Sequence, residues 1–319
     1  MIDFADLNKI PPGKHHFELT YSSLPDGTPL NMPVTVVGTQ PHPRVVVTAG
    51  VHGDEYEGVR TVADLIQELE SDQLHGTVVL VPVVNPPAFN ANTRTSPLDG
   101  VNLNRVCPGN ADGTISERLV HTLFTKIIVG AEALIDLHSG GTKYLFHPQA
   151  GFYRLQGQPA LSDQSFAMAQ AFGLDLLWEL PGRAGVCSFA AMQLGVPAIG
   201  LEIGGNGRCE PEHVFLAKRG VQRVLAALHL SEATLEPLPI SQKVWRGDFT
   251  LAPASGLFSP AVQLNQRVRA GQLLYQTLNL AGKVVYERHA SYDGLVSAIR
   301  IFGAIQIGDW DVSVLQEVK

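Results

Sequence analysis

The stretch Arg44–Glu55, RVVVTAGVHGDE, decides how the chain is read. Arg44 to Thr48 is a short β-branched run of the kind that forms a strand buried on both faces of a parallel sheet. Ala49 to Asp54 is a tight loop with two glycines. From Glu55 to Glu70 the apolar residues Val59, Val62, Leu65, Ile66 and Leu69 then fall at helical spacing. The loop carries His52 and Glu55, spaced His-x-x-Glu, at the end of the strand and the start of the helix. In open α/β sheets this is where ligands bind.

The same pattern recurs along the chain. Thr77 to Val84 (TVVLVPVV) reads as a second buried strand, Glu132 to Leu137 as a strand ending at His138, and Ala198 to Ile203 as a strand running into Gly204-Gly205. Ser116–Val129 and Pro211–Leu230 have helical periods. Residues 85–113 form a polar loop long enough to suggest a function. Strands alternating with helices predict an α/β fold whose mostly parallel, mixed sheet is sandwiched by helices. Residues 1–43 are polar and rich in turns, with Pro25-Asp26-Gly27 as a turn signal and Met32 to Val37 as a flanking strand. His15-His16, His42 and His75 fall in expected loops and read as solvated; His147 reads as packing.

Near residue 235 the style changes. Glu236-Pro237-Leu238-Pro239 reads as a linker, which divides the chain into domains 1–235 and 236–319. Beyond it no segment has a helical period. Ser255–Phe258 with Val268–Gln272, and Asp293–Val296 with Ile305–Asp309, are two similar halves closed by glycine turns. They predict a small all-β module that resembles the barrel-sandwich of lipoyl and biotinyl carriers. Lys283 lacks the flanking residues of a modified carrier lysine, so the module reads as structural or as a lid.

Composition excludes several classes. The chain has 319 residues, 45% of them hydrophobic, and a formal net charge of -7 without a Lys/Arg cluster. Nucleic acid and anionic membrane surfaces are therefore poor partners. The N-terminus lacks the basic start and apolar core of a signal peptide, and no apolar run approaches the roughly 18 residues of a membrane span. Cys107, Cys187 and Cys209 are few, odd in number and widely spaced, as expected of free thiols in a reducing cytoplasm.

The His-x-x-Glu turn can point both side chains at one metal ion. A catalytic zinc site keeps three protein ligands and an open position for water. His138, at another strand end and followed by Ser139-Gly140-Gly141, is the best third ligand. Read alone, His52 and Glu55 also fit a helix cap, and His138 a satisfied core histidine.

The order of the motifs resembles a family. GVHGDEYEG, then GVNLNR with PGNADGTISER, then LIDLHSGG is similar to the aspartoacylase/succinylglutamate desuccinylase group of the zinc carboxypeptidase superfamily. Within it the chain looks most like bacterial deacylases of N-acyl diamino acids, and the resemblance covers the whole length. It implies a zinc carboxypeptidase-like catalytic domain, one Zn2+ per chain on His52, Glu55 and His138, and Glu202 as general base. It also implies Arg94 as the oxyanion-steadying arginine and Asn104-Arg105 as the pair that holds the substrate carboxylate. Asn102 departs from the usual aspartate and Cys107 from a common aromatic.

The expected activity is zinc-dependent hydrolysis of the amide bond of a small N-acyl amino acid, in a cytoplasmic enzyme compatible with a homo-oligomer. The alternatives are a metallocarboxypeptidase acting on peptides and a non-catalytic binding protein of the same fold. The residues suit these roles. Glu202, at the end of an apolar strand, has desolvation to raise its pKa, and Arg105 offers a planar fork for a carboxylate. A buried ion pair for Glu202 and a surface ion pair for Arg105 are the simpler readings of each residue alone.

Overall fold

The structure, a computed structural model, describes residues 9–232 and 242–318. The expected linker at 236–239 and the boundary beside it lie outside the described residues.

Eight strands build the first part of the sheet: β1 (Gly13–Ser23), β2 (Pro29–Gly38), β3 (Arg44–Thr48), β4 (Thr77–Val81), β5 (Ala133–His138), β6 (Tyr144–Phe152), β7 (Leu176–Glu179) and β8 (Ala198–Gly205). Six helices accompany them: α1 (Tyr56–Glu68), α2 (Pro86–Ala91), α3 (Ile115–Leu123), α4 (Pro159–Phe172), α5 (Cys187–Gln193) and α6 (Pro211–Ala227). The strand order is β1-β2-β4-β3-β5-β8-β6-β7. It is parallel from β4 through β3 and β5 to β8, and antiparallel where β2 meets β4 and where β6 meets β8. The sheet is thus mixed, with its parallel part at the centre.

Period-two alternation sends neighbouring residues to opposite cores. Val45 and Val47 pack with Val62 and Leu65 of α1 and Val221 of α6, whereas Val46 packs with Leu119 and Leu123 of α3. In β5, Ile135 and Leu137 join the first core and Leu134 the second; in β8, Leu201 joins the first and Ala198 the second. Asp136, His138 and Glu202 follow the parity of Leu134 and Ala198. They therefore emerge on the α3 and α5 face of the sheet.

Nine further strands follow: β9 (Lys243–Arg246), β10 (Phe249–Leu251), β11 (Gly256–Pro260), β12 (Arg267–Val268), β13 (Leu273–Leu278), β14 (Val284–His289), β15 (Gly294–Arg300), β16 (Ala304–Ile305) and β17 (Trp310–Glu317). Four of them, in the order β14-β13-β11-β16, make a second, antiparallel sheet. The others extend the first sheet, because β9 pairs with β7 in parallel and β15 pairs with β6 antiparallel. Phe258 and Tyr275 from one sheet and Val296, Val312 and Val314 from the other share one apolar core. The helix-poor reading of this region is what the structure has, and its strands are continuous with the large sheet.

Two expectations need correction. His15 and His16 lie in β1, where His16 Nδ1 meets Thr35 Oγ1 of the partner strand at 2.9 Å, and not in a loop. Cys107 and Cys187 are joined as a disulfide, so only Cys209 is a free thiol among the described residues. The two are separated by 80 residues but brought to a Cα–Cα distance of 5.1 Å where the loop after α2 meets the start of α5. Sequence spacing carries no sign of that approach. No helix among the described residues is long and apolar enough to cross a membrane.

The turn after β3 depends on a close approach. A Cβ on Gly53 would lie 2.0 Å from the Ala88 carbonyl carbon of α2, backbone against backbone. Gly53→Ala is expected to destabilise the protein by about 1–3 kcal/mol through overpacking. Urea unfolding of the two proteins measures this, and equal midpoints would refute it.

Candidate metal centre and adjoining cleft

His52 follows β3, Glu55 is the N-cap residue of α1, and His138 ends β5. Glu55 makes no side-chain capping bond, so the helix-cap reading does not describe it. Its carboxylate instead divides between the histidines: Oε1 is 2.7 Å from His52 Nδ1 and Oε2 is 2.8 Å from His138 Nδ1. The imidazole centroids are 5.2 Å apart. One ligand atom from each of the three residues lies within 4.8 Å of the others, and all three residues are buried.

The remaining ring nitrogens decide the chemistry. His138 Nε2 is 3.1 Å from Asp136 Oδ2, and His52 Nε2 is 3.1 Å from Asn102 Oδ1. Each ring thus has an oxygen acceptor at both of its nitrogens, whereas a neutral imidazole carries a single N–H. One nitrogen of each would face an oxygen lone pair to lone pair unless a second proton or a metal cation lies between them. Histidines braced at the far nitrogen by carboxylate or amide oxygens are the usual support of a metal site. The donor set therefore suits a divalent metal held by two nitrogens and one oxygen. Asp136 is itself held by Thr48 Oγ1 at 2.8 Å.

The electrostatics agree. Burial pulls His138 down, but Asp136 and Glu55 outweigh it and hold the ring well above its ordinary range. Burial and then Arg94 lower His52, against the opposing pull of Glu55. For Glu55 burial acts upward, yet the two histidines keep it well below the ordinary carboxylate range. Glu202 goes the other way: burial, reinforced by the Glu55 charge, holds it well above that range. Glu202 lies directly across from His138 in the β5–β8 pairing, and its Oε2 is buried without a hydrogen-bond partner.

These groups open onto a cleft of about 700 Å³, counting its mouth, lined by His52, His138, Glu202, Arg94, Asn104 and Arg105 among others. All seven residues singled out from the sequence thus converge on one place. Arg94 Nη1 bonds Glu55 Oε1 at 2.8 Å. Asn104 Oδ1 accepts from Cys187 N at 2.7 Å, which pins the loop of residues 102–107 to α5. Burial first, then Arg94 and Arg183, push the Arg105 guanidinium down, with Asp248 opposing. Three guanidiniums and one acid thus share the outer cleft. His147 meets Asp175 at 3.3 Å and is not among the lining residues.

The sequence reading missed several contributors. Asp136 was legible in principle, since its two-residue spacing from His138 puts both on one face of a strand. Asn102, which the family comparison had left without a role, braces His52. Trp310 could not have been foreseen: its ring lies 5.8 Å from the Arg94 guanidinium and 5.7 Å from that of Arg105, and it stacks on Phe249 at 4.5 Å. A second buried pair lining the cleft, Tyr153 Oη and Ser188 Oγ at 2.9 Å, was also missed.

Known proteins share this arrangement of sequence and fold. A family model for the succinylglutamate desuccinylase/aspartoacylase catalytic domain matches residues 41–228. An N-alpha-acetyl-L-2,4-diaminobutyric acid deacetylase of Halomonas elongata is 31% identical over 298 residues, which cover 90% of this chain and 86% of that protein. The crystal structure of a succinylglutamate desuccinylase/aspartoacylase from Rhodobacter sphaeroides matches with a TM-score of 0.90 at 29% identity, covering 100% of this chain and 98% of that one. The product-bound ectoine utilization protein EutE (DoeB) from Ruegeria pomeroyi matches with a TM-score of 0.88 at 29% identity, covering 96% and 97%.

His52→Ala and His138→Ala are expected to abolish stoichiometric binding of a divalent metal. Asp136→Asn is expected to weaken it about 10–100-fold while the protein stays folded. Elemental analysis and chelator competition measure both, and full metal content in either alanine variant would exclude this donor set.

Proposed function

This chain belongs to the succinylglutamate desuccinylase/aspartoacylase family, and on that premise we propose that it is a zinc-dependent deacylase that hydrolyses the amide bond of a small N-acyl amino acid. The observation that carries the reading is the convergence of His52, Glu55 and His138 beside the unpartnered Oε2 of Glu202. A bound zinc ion would polarise the acyl carbonyl and acidify a water.

The chain's own residues do the rest. Glu202 takes the proton of the attacking water on a carboxylate oxygen that has no competing partner. The water oxygen forms the new C–O bond first, giving a tetrahedral carbon, and Glu202 then delivers the proton to the amine nitrogen as the amide C–N bond breaks. Its raised pKa suits it to hold the proton between the two transfers. Arg94 stands at the same point, 2.8 Å from Glu55, and steadies the negative oxygen of the tetrahedral carbon. Arg105 offers a bidentate fork for the substrate carboxylate, and Asn104 fixes its loop. Trp310, against both guanidiniums, limits where they can turn.

The cleft supports a small substrate over a peptide. Phe249 and Trp310 of the C-terminal module wall it. Among the described residues, His52, Glu55, His138 and Glu202 retain the groups that the catalytic reading requires.

Glu202→Gln is expected to lower kcat/KM on an N-acyl amino acid about 100- to 10,000-fold with metal content unchanged. The rise of kcat/KM with pH, displaced above the ordinary carboxylate range because the carboxyl must ionise to act as base, should disappear with it. Near-normal turnover in this variant would refute the mechanism. Trp310→Ala is expected to cost about 10-fold in kcat/KM, partly recovered by Trp310→Phe, since each cation–π contact at a part-exposed site contributes on the order of 1 kcal/mol. Steady-state kinetics of both variants, with equal activity in wild type and Trp310→Ala as the contrary result, decides that point.

A further inference from the structure

The row of residues that holds His138 and Glu202 has a third member. His138 of β5 lies across from Glu202 of β8, and Glu202 lies across from Gln149 of β6 in the antiparallel pairing of those strands. Directly opposed residues of antiparallel strands project from the same face, with Cβ atoms about 4.5–5.5 Å apart. Gln149 is only 1% exposed, and its Oε1 has no hydrogen-bond partner. Glu202 Oε2 is in the same condition. Each such oxygen has lost its hydration without replacement, so two of them on neighbouring residues of one row are costly to the fold.

The other polar groups around Glu202 are committed. Arg94 bonds Glu55, and Asp136 lies between Thr48 and His138. Tyr153 and Ser188 bond each other. The next pair along the two strands, Gly151 and Gly200, has no side chains, and the residue on the other side of Gln149 is the apolar Leu176 of β7. Gln149 is thus the neighbour with hydrogen-bonding capacity to spare. A carboxamide suits the place. It is neutral, its N–H donates to a carboxylate, and its oxygen accepts from a carboxyl that has taken up a proton. A half-turn of the amide exchanges the two ends.

We propose that Gln149 is a positioning residue for the general base. Its carboxamide holds one oxygen of the Glu202 carboxyl and leaves the other aimed at the attacking water, then at the departing amine. This rests on the deacylase reading above. Gln149 is not among the residues that line the cleft, so it acts through Glu202 and not by touching substrate. Its loss therefore falls on turnover and not on substrate binding. Stability moves the opposite way, because an apolar side chain of similar shape leaves no buried oxygen unmet.

The test uses Gln149→Met, which keeps the length and removes both hydrogen-bonding groups, with Gln149→Leu as a second apolar replacement in case the first disturbs packing. The substrate is the member of a panel of N-acetyl and N-succinyl amino acids that wild type hydrolyses fastest. In both variants kcat is expected to fall about 10- to 100-fold, the loss that one hydrogen bond to a charged group carries, with KM and metal content unchanged. The thermal midpoint is expected to stay equal or rise. In Glu202→Gln protein, adding Gln149→Met should leave the residual kcat as it is, because the group it positions is already gone. Unchanged kcat in both variants, a loss that falls mainly on KM, a lowered thermal midpoint in both, or a further full loss in the double variant would overturn the assignment. A wild type that hydrolyses no member of the panel would remove the deacylase reading itself, and this inference with it.

Discussion

The carboxylate of Glu55 is buried, and such a group is tolerated only when its charge is met from close range. It is met from three segments: His52 after β3, His138 at the end of β5 and Arg94 in the long loop, with Ser139 N at 3.3 Å as a further donor. The two histidines are in turn held from behind. Thr48 fixes Asp136, Asp136 fixes His138, and Asn102 fixes His52. The chain of bonds crosses the carboxyl ends of adjacent parallel strands, where side chains from different strands stand side by side. Removing the central carboxylate would leave two histidines and an arginine facing one another.

The region after residue 242 is built into the same arrangement. Its strands pair with β6 and β7, and Arg300, buried in the module, bonds Tyr144 Oη of β6 at 3.2 Å and pairs with Asp309 at 3.0 Å. Asp311, next to Trp310, is fully buried and accepts from Tyr275 Oη at 2.8 Å. Strand pairing and buried polar bonds on both sides of Trp310 make it a fixed wall. This region contributes Asp248, Phe249 and Trp310 to the lining of the cleft.

Much of this was legible in residue order. The β-branched run of β3, the glycine turn and the helical spacing of α1 dictate a strand, a tight loop and a helix locally, and the same grammar recurs at His138 and Glu202. Those positions follow from short-range rules, because strand alternation and strand-end placement are properties of a few consecutive residues. The antiparallel pairing of β6 with β8 and the extension of the sheet into β9–β17 were not legible. Pairing partners far apart in the chain are selected by the whole core, not by any local pattern.

By itself the sequence determined the α/β class, the strand and turn segments that carry His52, Glu55, His138 and Glu202, and the all-β character of the C-terminal region. Only the tertiary structure decided that Asn102 and Asp136 brace the histidines, that Cys107 meets Cys187, and that Trp310 and Asp248 face Arg94, Arg105 and Arg183. The physical reason is the reach of the forces involved. Backbone conformation and burial periodicity are set within a turn or a strand. A hydrogen bond, a ring contact or an ion pair exists only where the fold has already brought distant segments within a few ångströms of each other.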